Sequence, residues 1–148
     1  MSLVLVYIVD HQYVFFWNDE DFLDTSVLPH TAQQINQKFH NLVPATATDV
    51  YYYYHSPGFK SLDFYYRFHI RPEELSATVS FLMAKAPTNI ANAQNPIPGP
   101  ESLPGGPPFW WKVHTIKHGI AGLGSGAWDS PSYWYDSDTS IMYVYKVD

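Results

Sequence analysis

The alternation over residues 62–70 constrains the fold of this chain more than any other stretch. Leu62, Phe64, Tyr66, Phe68 and Ile70 take every second position, with Asp63, Tyr65, Arg67 and His69 between them. Successive side chains of a strand point to opposite faces, so a strand here gathers its large apolar groups on one side. The other side, with Asp63, Arg67 and His69, is expected to meet water. Upstream, Asp49-Val50-Tyr51-Tyr52-Tyr53-Tyr54-His55 reads as the partner strand. Ser56-Pro57-Gly58 supplies the turn, because Pro fixes φ and Gly accepts φ > 0. Downstream, Pro72 suits the first position of a helix, and Glu73 and Glu74 favour its N-terminal dipole. Leu75, Val79 and Leu82 then form an i, i+4, i+7 stripe that can cover the hairpin. Each large side chain so buried contributes roughly 1.5–3 kcal/mol.

The rest of the chain organises around that unit. Residues 2–9 are an apolar run too short for a transmembrane helix, which needs about 20 residues. They lack the pattern of an intact signal peptide. Two readings stay open: a buried strand or helix, or the stub of a trimmed anchor. Asn18 to Asp24 reads as an acidic surface loop. Thr31 to Leu42 reads as a helix, with Thr31 as N-cap, Ile35, Phe39 and Leu42 as its stripe, and Pro44 as its stop. Residues 86–108 hold Ile97-Pro98-Gly99-Pro100 and Leu103-Pro104-Gly105-Gly106-Pro107-Pro108 and are expected to form a long loop. Phe109 to Ile116 resumes strand-like composition, and Gly119 to Gly126 reads as a loop. Tyr133-Trp134-Tyr135 and Ser140 to Val147 form a second hairpin across Asp136-Ser137-Asp138-Thr139. Both alternating sets of the last strand are apolar, as in an interior strand buried on two faces. The expected fold is a single α+β domain over 1–148. It has a mainly antiparallel sheet of four to five strands, two helices on one face, and the long Pro/Gly loop.

Composition narrows the function classes. With 148 residues and 46% apolar content, one domain can bury a core. Net charge is −6, with only 8 Lys and Arg, which argues against a nucleic-acid backbone or an anionic membrane as partner. There is no Cys, so disulfides, thiol nucleophiles and Cys-based zinc sites are excluded. Compartment stays open on this ground.

Three stretches also resemble a known pattern. Tyr66-Arg67-Phe68-His69-Ile70-Arg71-Pro72-Glu73-Glu74-Leu75, Phe109-Trp110-Trp111 and Ile141-Met142-Tyr143-Val144-Tyr145 together resemble small uncharacterised bacterial cell-envelope proteins, often lipid-anchored. The matching pieces are a strand-to-helix junction, a Trp pair and a final strand. The resemblance implies a removed N-terminal signal and a cell-envelope location; without such trimming the expectation is cytoplasmic. It brings no activity and no catalytic residue, and no lipidation Cys stands in the chain.

Each possible chemical motif falls short. His114 and His118 have i, i+4 spacing, but in a strand they would lie roughly 13 Å apart, too far for one metal ion. Asp136 to Ser140 opens like a calcium loop but lacks its Gly and closing Glu. Gly122-Leu123-Gly124-Ser125-Gly126 fits neither phosphate-binding fingerprint nor nucleophile elbow. No cofactor or metal is therefore expected. The remaining clue is aromatic, with 18% Phe, Trp and Tyr. Trp110, Trp111, Trp128, Tyr133, Trp134 and Tyr135 cluster beside Gly and Pro loops. Adjacent strand residues face opposite ways, so some of these rings should turn outward, as a shelf for a protein, peptide or carbohydrate partner or for self-association. The competing expectation is that the proline loop covers them. The functional reading is a non-enzymatic binding or assembly domain. The alternative is a small hydrolase with a His/Asp site assembled from separated segments.

Overall fold

The computed structural model describes residues 5–9, 12–16, 22–39, 41–56, 63–84, 87–89, 107–124 and 131–147, with only the backbone described for 5–9, 12–16 and 22–23. The Pro57-Gly58 turn, Leu62, Trp128 and most of the Pro/Gly stretch lie outside these residues. At the N-terminal end, β1 (Leu5–Val9) and β2 (Gln12–Phe16) pair antiparallel with each other, so the apolar run is strand rather than helix. Next come β3 (Phe22–Thr25), α1 (Ala32–Phe39), β4 (Thr48–Ser56), β5 (Asp63–His69) and α2 (Leu75–Phe81). After them follow β6 (Thr88–Asn89), β7 (Gly119–Gly122), β8 (Ser132–Asp136) and β9 (Ile141–Val147).

The main sheet has seven strands in the order β3-β4-β5-β9-β8-β7-β6, every pair antiparallel. Four to five strands were expected. The additional ones come from segments read as loops. Phe22 to Asp24 lies on the edge strand β3, Thr88-Asn89 lies inside the expected long loop, and Gly119 starts a strand. Short edge strands carry little periodicity of their own, and ladder pairing with a neighbour makes them strands. The reverse error occurs at Phe109 to Ile116. Those residues form a turn and then a 3-10 turn at Val113–Thr115, not a strand.

Local chemistry sets the ends of both helices. Thr31 Oγ1 accepts the Gln34 N–H at 3.1 Å, while the Thr31 N–H donates to Gln34 Oε1 at 2.9 Å. This reciprocal capping box starts α1. Asn41 at φ 53 stops it before Leu42, earlier than Pro44 alone would. Pro72–Glu74 is a 3-10 turn leading into α2. Met83 at φ 54 closes α2, with the Ala84 N–H donating to the Val79 carbonyl and the Met83 N–H to that of Ser80. That is a Schellman closure.

Both faces of the sheet are covered. On one face α1 and α2 pack over Val50, Tyr52, Phe64, Tyr66, Phe68, Tyr133, Tyr135, Met142 and Val144. Leu82 is fully buried there and Thr78 nearly so, while Leu75 and Val79 are half-buried at its margin. The stripe predicted for α2 thus faces the core but is rotated, with Leu82 deepest. On the other face Tyr65 is as buried as Phe64, against the expectation that this side meets water. Its cover is the turn that carries Trp110 and Trp111.

Close packing inside the sheet gives one direct test. Gly119 sits opposite Asp136 in the β7–β8 ladder, and a Cβ there would collide with the Tyr135 carbonyl oxygen. Gly119→Ala is expected to cost about 1–3 kcal/mol as overpacking. Urea unfolding measures it, and an unchanged midpoint would contradict the register.

Candidate functional site

The second face is built almost wholly of rings. Tyr53, Tyr65, Trp134, Tyr143 and Tyr145 line it, and Trp110 and Trp111 close over them. Trp111 meets Tyr65 at 5.2 Å, Tyr143 at 5.4 Å and Trp134 at 5.8 Å between centroids, each edge to face. This geometry suits the ring quadrupoles. Trp110 lies 6.1 Å from Trp111, and its indole N–H donates to the Ser26 carbonyl at 3.2 Å.

The expected aromatic shelf is therefore not formed by these residues. Trp110 is 2% exposed, Trp111 and Trp134 4%, Tyr133 0% and Tyr135 2%. Trp128 lies outside the described residues. The physical reasons differ between the two groups. Trp110 and Trp111 sit on a turn, where neighbouring side chains can share a face. Tyr133, Trp134 and Tyr135 do alternate, but the sheet is covered on both sides: Tyr133 and Tyr135 join the helical core, and Trp134 the ring cluster.

What reaches solvent is the rim of that cluster. The Ser26 N–H donates to the Tyr52 carbonyl, and His30 pairs with Val50. Val27, Leu28 and Pro29 thus bulge from the sheet edge opposite Tyr51. Val27 is 69% exposed and Leu28 70%. Phe109, 64% exposed, sets its ring edge to face with Tyr51 at 5.8 Å. The Arg67 guanidinium lies 5.1 Å from the centre of the same Tyr51 ring. These apolar residues were not singled out from sequence. The available signal was Val27-Leu28 standing outside any periodic stretch just before Pro29.

Polar clusters lie elsewhere. Lys38 Nζ bonds Asp24 at 2.7 Å and the Tyr52 hydroxyl at 2.8 Å, tying α1 to the edge strand. Burial pulls the Lys38 ammonium down, but those bonds outweigh it and the net shift is upward. His118 Nδ1 lies 2.9 Å from Asp138 on open surface, and His114, on the Val113–Thr115 turn, is also exposed. Among the described residues no three His, Cys, Asp or Glu gather as a metal site. Asp136 accepts from the Asp138 N–H and the Thr139 hydroxyl, which makes this segment a hairpin turn. Asp63, Arg67 and His69 do not form one cluster: Asp63 accepts from the Tyr145 hydroxyl at 3.2 Å and lies 3.6 Å from His55 Nδ1, while Arg67 serves Tyr51. An open cavity of about 340 Å³ lies between Thr46, Thr48, His69, Ile70, Arg71 and Glu74. Its charged groups are already engaged, since Glu74 accepts from both the Arg71 guanidinium and backbone N–H. Among the described residues no helix is long and apolar enough to cross a membrane.

No family model matches this sequence, and neither curated proteins nor solved structures yield a match.

Two measurements follow from this geometry. With Trp17 and Trp128 replaced by Phe, acrylamide should quench Trp110, Trp111 and Trp134 far less than free tryptophan; free-like quenching would show the ring cluster open. The second concerns pH. Bonding from the Arg71 side chain, then from its N–H, holds the Glu74 carboxyl at about 2 instead of 4.5. A depressed carboxyl stabilises above its unfolded pKa and loses that effect as pH falls through the folded one. Between pH 4.5 and about 2, thermal midpoints of the native protein and Glu74→Gln should converge. Parallel curves would show that the Arg71–Glu74 cap contributes nothing.

Proposed function

We propose that this domain is a non-enzymatic binding or assembly module that meets a protein partner at the rim formed by Val27, Leu28 and Phe109 around Tyr51. The observation that carries this reading is the exposure of three large apolar side chains on a rigid mount. Large apolar side chains held out in water are costly, and where they gather they mark interaction sites. Its mount is fixed by the Trp110 bond to Ser26 and by the Tyr51–Phe109 contact. A carbohydrate-stacking shelf has less support, because the indoles that would form it are buried. The hydrolase alternative needs a His and an acid converging in a cleft. The described His–Asp pairs are His118–Asp138 on open surface and His55–Asp63 within the sheet, and neither lines the cavity at Glu74. The resemblance to envelope proteins makes the bacterial cell envelope the place to look for the partner.

Site-specific photocrosslinking tests the reading. A crosslinker at Leu28 or Phe109 should give one discrete protein adduct in cells, lost on Val27→Asp, while a crosslinker at exposed Lys117 gives none. Absence of an adduct at both rim positions, with the protein folded, would overturn it.

A further inference from the structure

The ring cluster holds a continuous series of oxidisable side chains with a proton acceptor at one end. Starting at the rim, Tyr51 lies 6.0 Å from Trp110, Trp110 6.1 Å from Trp111, Trp111 5.2 Å from Tyr65, and Tyr65 4.7 Å from Tyr145. Trp134 and Tyr143 join the series at Trp111, and Tyr53 joins it at Tyr65. Trp and Tyr are the ring-bearing side chains most easily oxidised by one electron. Neighbouring rings at these separations are close to van der Waals contact, where an electron passes readily between them. A bare sequence of rings does not choose where the oxidation rests. That choice belongs to the proton, because an oxidised phenol is a very strong acid and is stable only once deprotonated.

Tyr145 is the phenol placed to release that proton. Its hydroxyl donates to Asp63 Oδ1 at 3.2 Å. Tyr143, Tyr66, Tyr133, Tyr135 and Tyr52 are less suited. Tyr143 is hydrogen-bonded to the Arg67 cation, which opposes loss of an electron beside it. Tyr66, Tyr133 and Tyr135 lie in the helical core, their buried hydroxyls without an acceptor among the described residues. Tyr52 also bonds a carboxylate, Asp24, but its described ring contacts are His30 and Phe39, outside the series.

We propose that this face is an electron relay that carries a one-electron oxidation from the rim to Tyr145 and holds it there as a tyrosyl radical. A one-electron oxidant at the surface, a metal complex or a radical, is reduced by one electron drawn through Tyr51, Trp110, Trp111 and Tyr65. Tyr145 supplies that electron. Its phenolic proton moves along the hydrogen bond to the Asp63 carboxylate, leaving a neutral phenoxyl radical and a carboxylic acid. This activity goes beyond the binding reading and does not depend on it.

The probe is photogenerated tris(bipyridyl)ruthenium(III), with the radical followed by transient absorption and electron paramagnetic resonance. Native protein should give a tyrosyl signal that Tyr145→Phe removes. Trp111→Phe, which keeps an apolar ring, should slow its appearance at least about tenfold, as a barrier raised by about 1.4 kcal/mol would. Asp63→Asn should lower the yield of the deprotonated radical, and serves as the second variant should Tyr145→Phe fail to fold. Thermal midpoints establish folding of each. An unchanged signal in folded Tyr145→Phe, an unchanged yield in folded Asp63→Asn, or an unchanged rate in folded Trp111→Phe would overturn the relay.

Discussion

Burial of the central strands on both faces is the constraint on which the rest of this structure depends. β5 and β9 lie side by side with neighbours on either edge, and each carries large side chains above and below. A sheet of that kind needs two covers. The helices provide one, held by the caps at Thr31, Asn41 and Met83. The other is a turn of a few residues, and size alone would not hold it. One directional bond does: the Trp110 N–H to the Ser26 carbonyl, across 84 positions of sequence. Leaving either partner buried and unpaired would cost about 1–3 kcal/mol, and the turn would lose its registry over Tyr65 and Tyr143.

That same bond joins two of the segments that carry exposed apolar side chains. Ser26 precedes the Val27–Leu28 bulge, and Phe109 precedes Trp110. The element that seals the ring cluster thus also ties the Val27–Leu28 bulge to Phe109. Interior and rim are one mechanical unit. A change that loosens the Trp110 bond is therefore expected to disturb the surface as well as the core.

How much of this was legible in the sequence follows from where each segment gets its order. The hairpin strands, the interior character of β9, both helices and the hairpin turn at Asp136 declare themselves through periodicity and capping residues, which act locally. The sheet edges do not. β3, β6 and β7 are short, and Gly119 or Asp24 acquires strand geometry only from the neighbour it pairs with. The Trp pair misled for a related reason. Alternation predicts opposite faces only within a strand, and nothing near Trp110 states that residues 108–115 turn. Exposed and buried rings also look alike in composition. The rim could be found only after the bulge between Ser26 and His30 was seen, because that bulge rests on hydrogen bonds to β4.

The position of β9 between β5 and β8 has a consequence for how the protein comes into being. β5 ends at His69, while its neighbour on that edge begins at Ile141. During synthesis the β4 and β5 segments are made well before the strand that pairs with β5. In that interval β5 presents an open ladder edge beneath two ring-rich faces, the kind of surface on which nascent chains associate wrongly. Pairing across so long an intervening stretch also slows folding, since chain closure must precede the contacts that reward it. This topology therefore leaves one edge of β5 unpaired until residues 141–147 reach their place in the sheet.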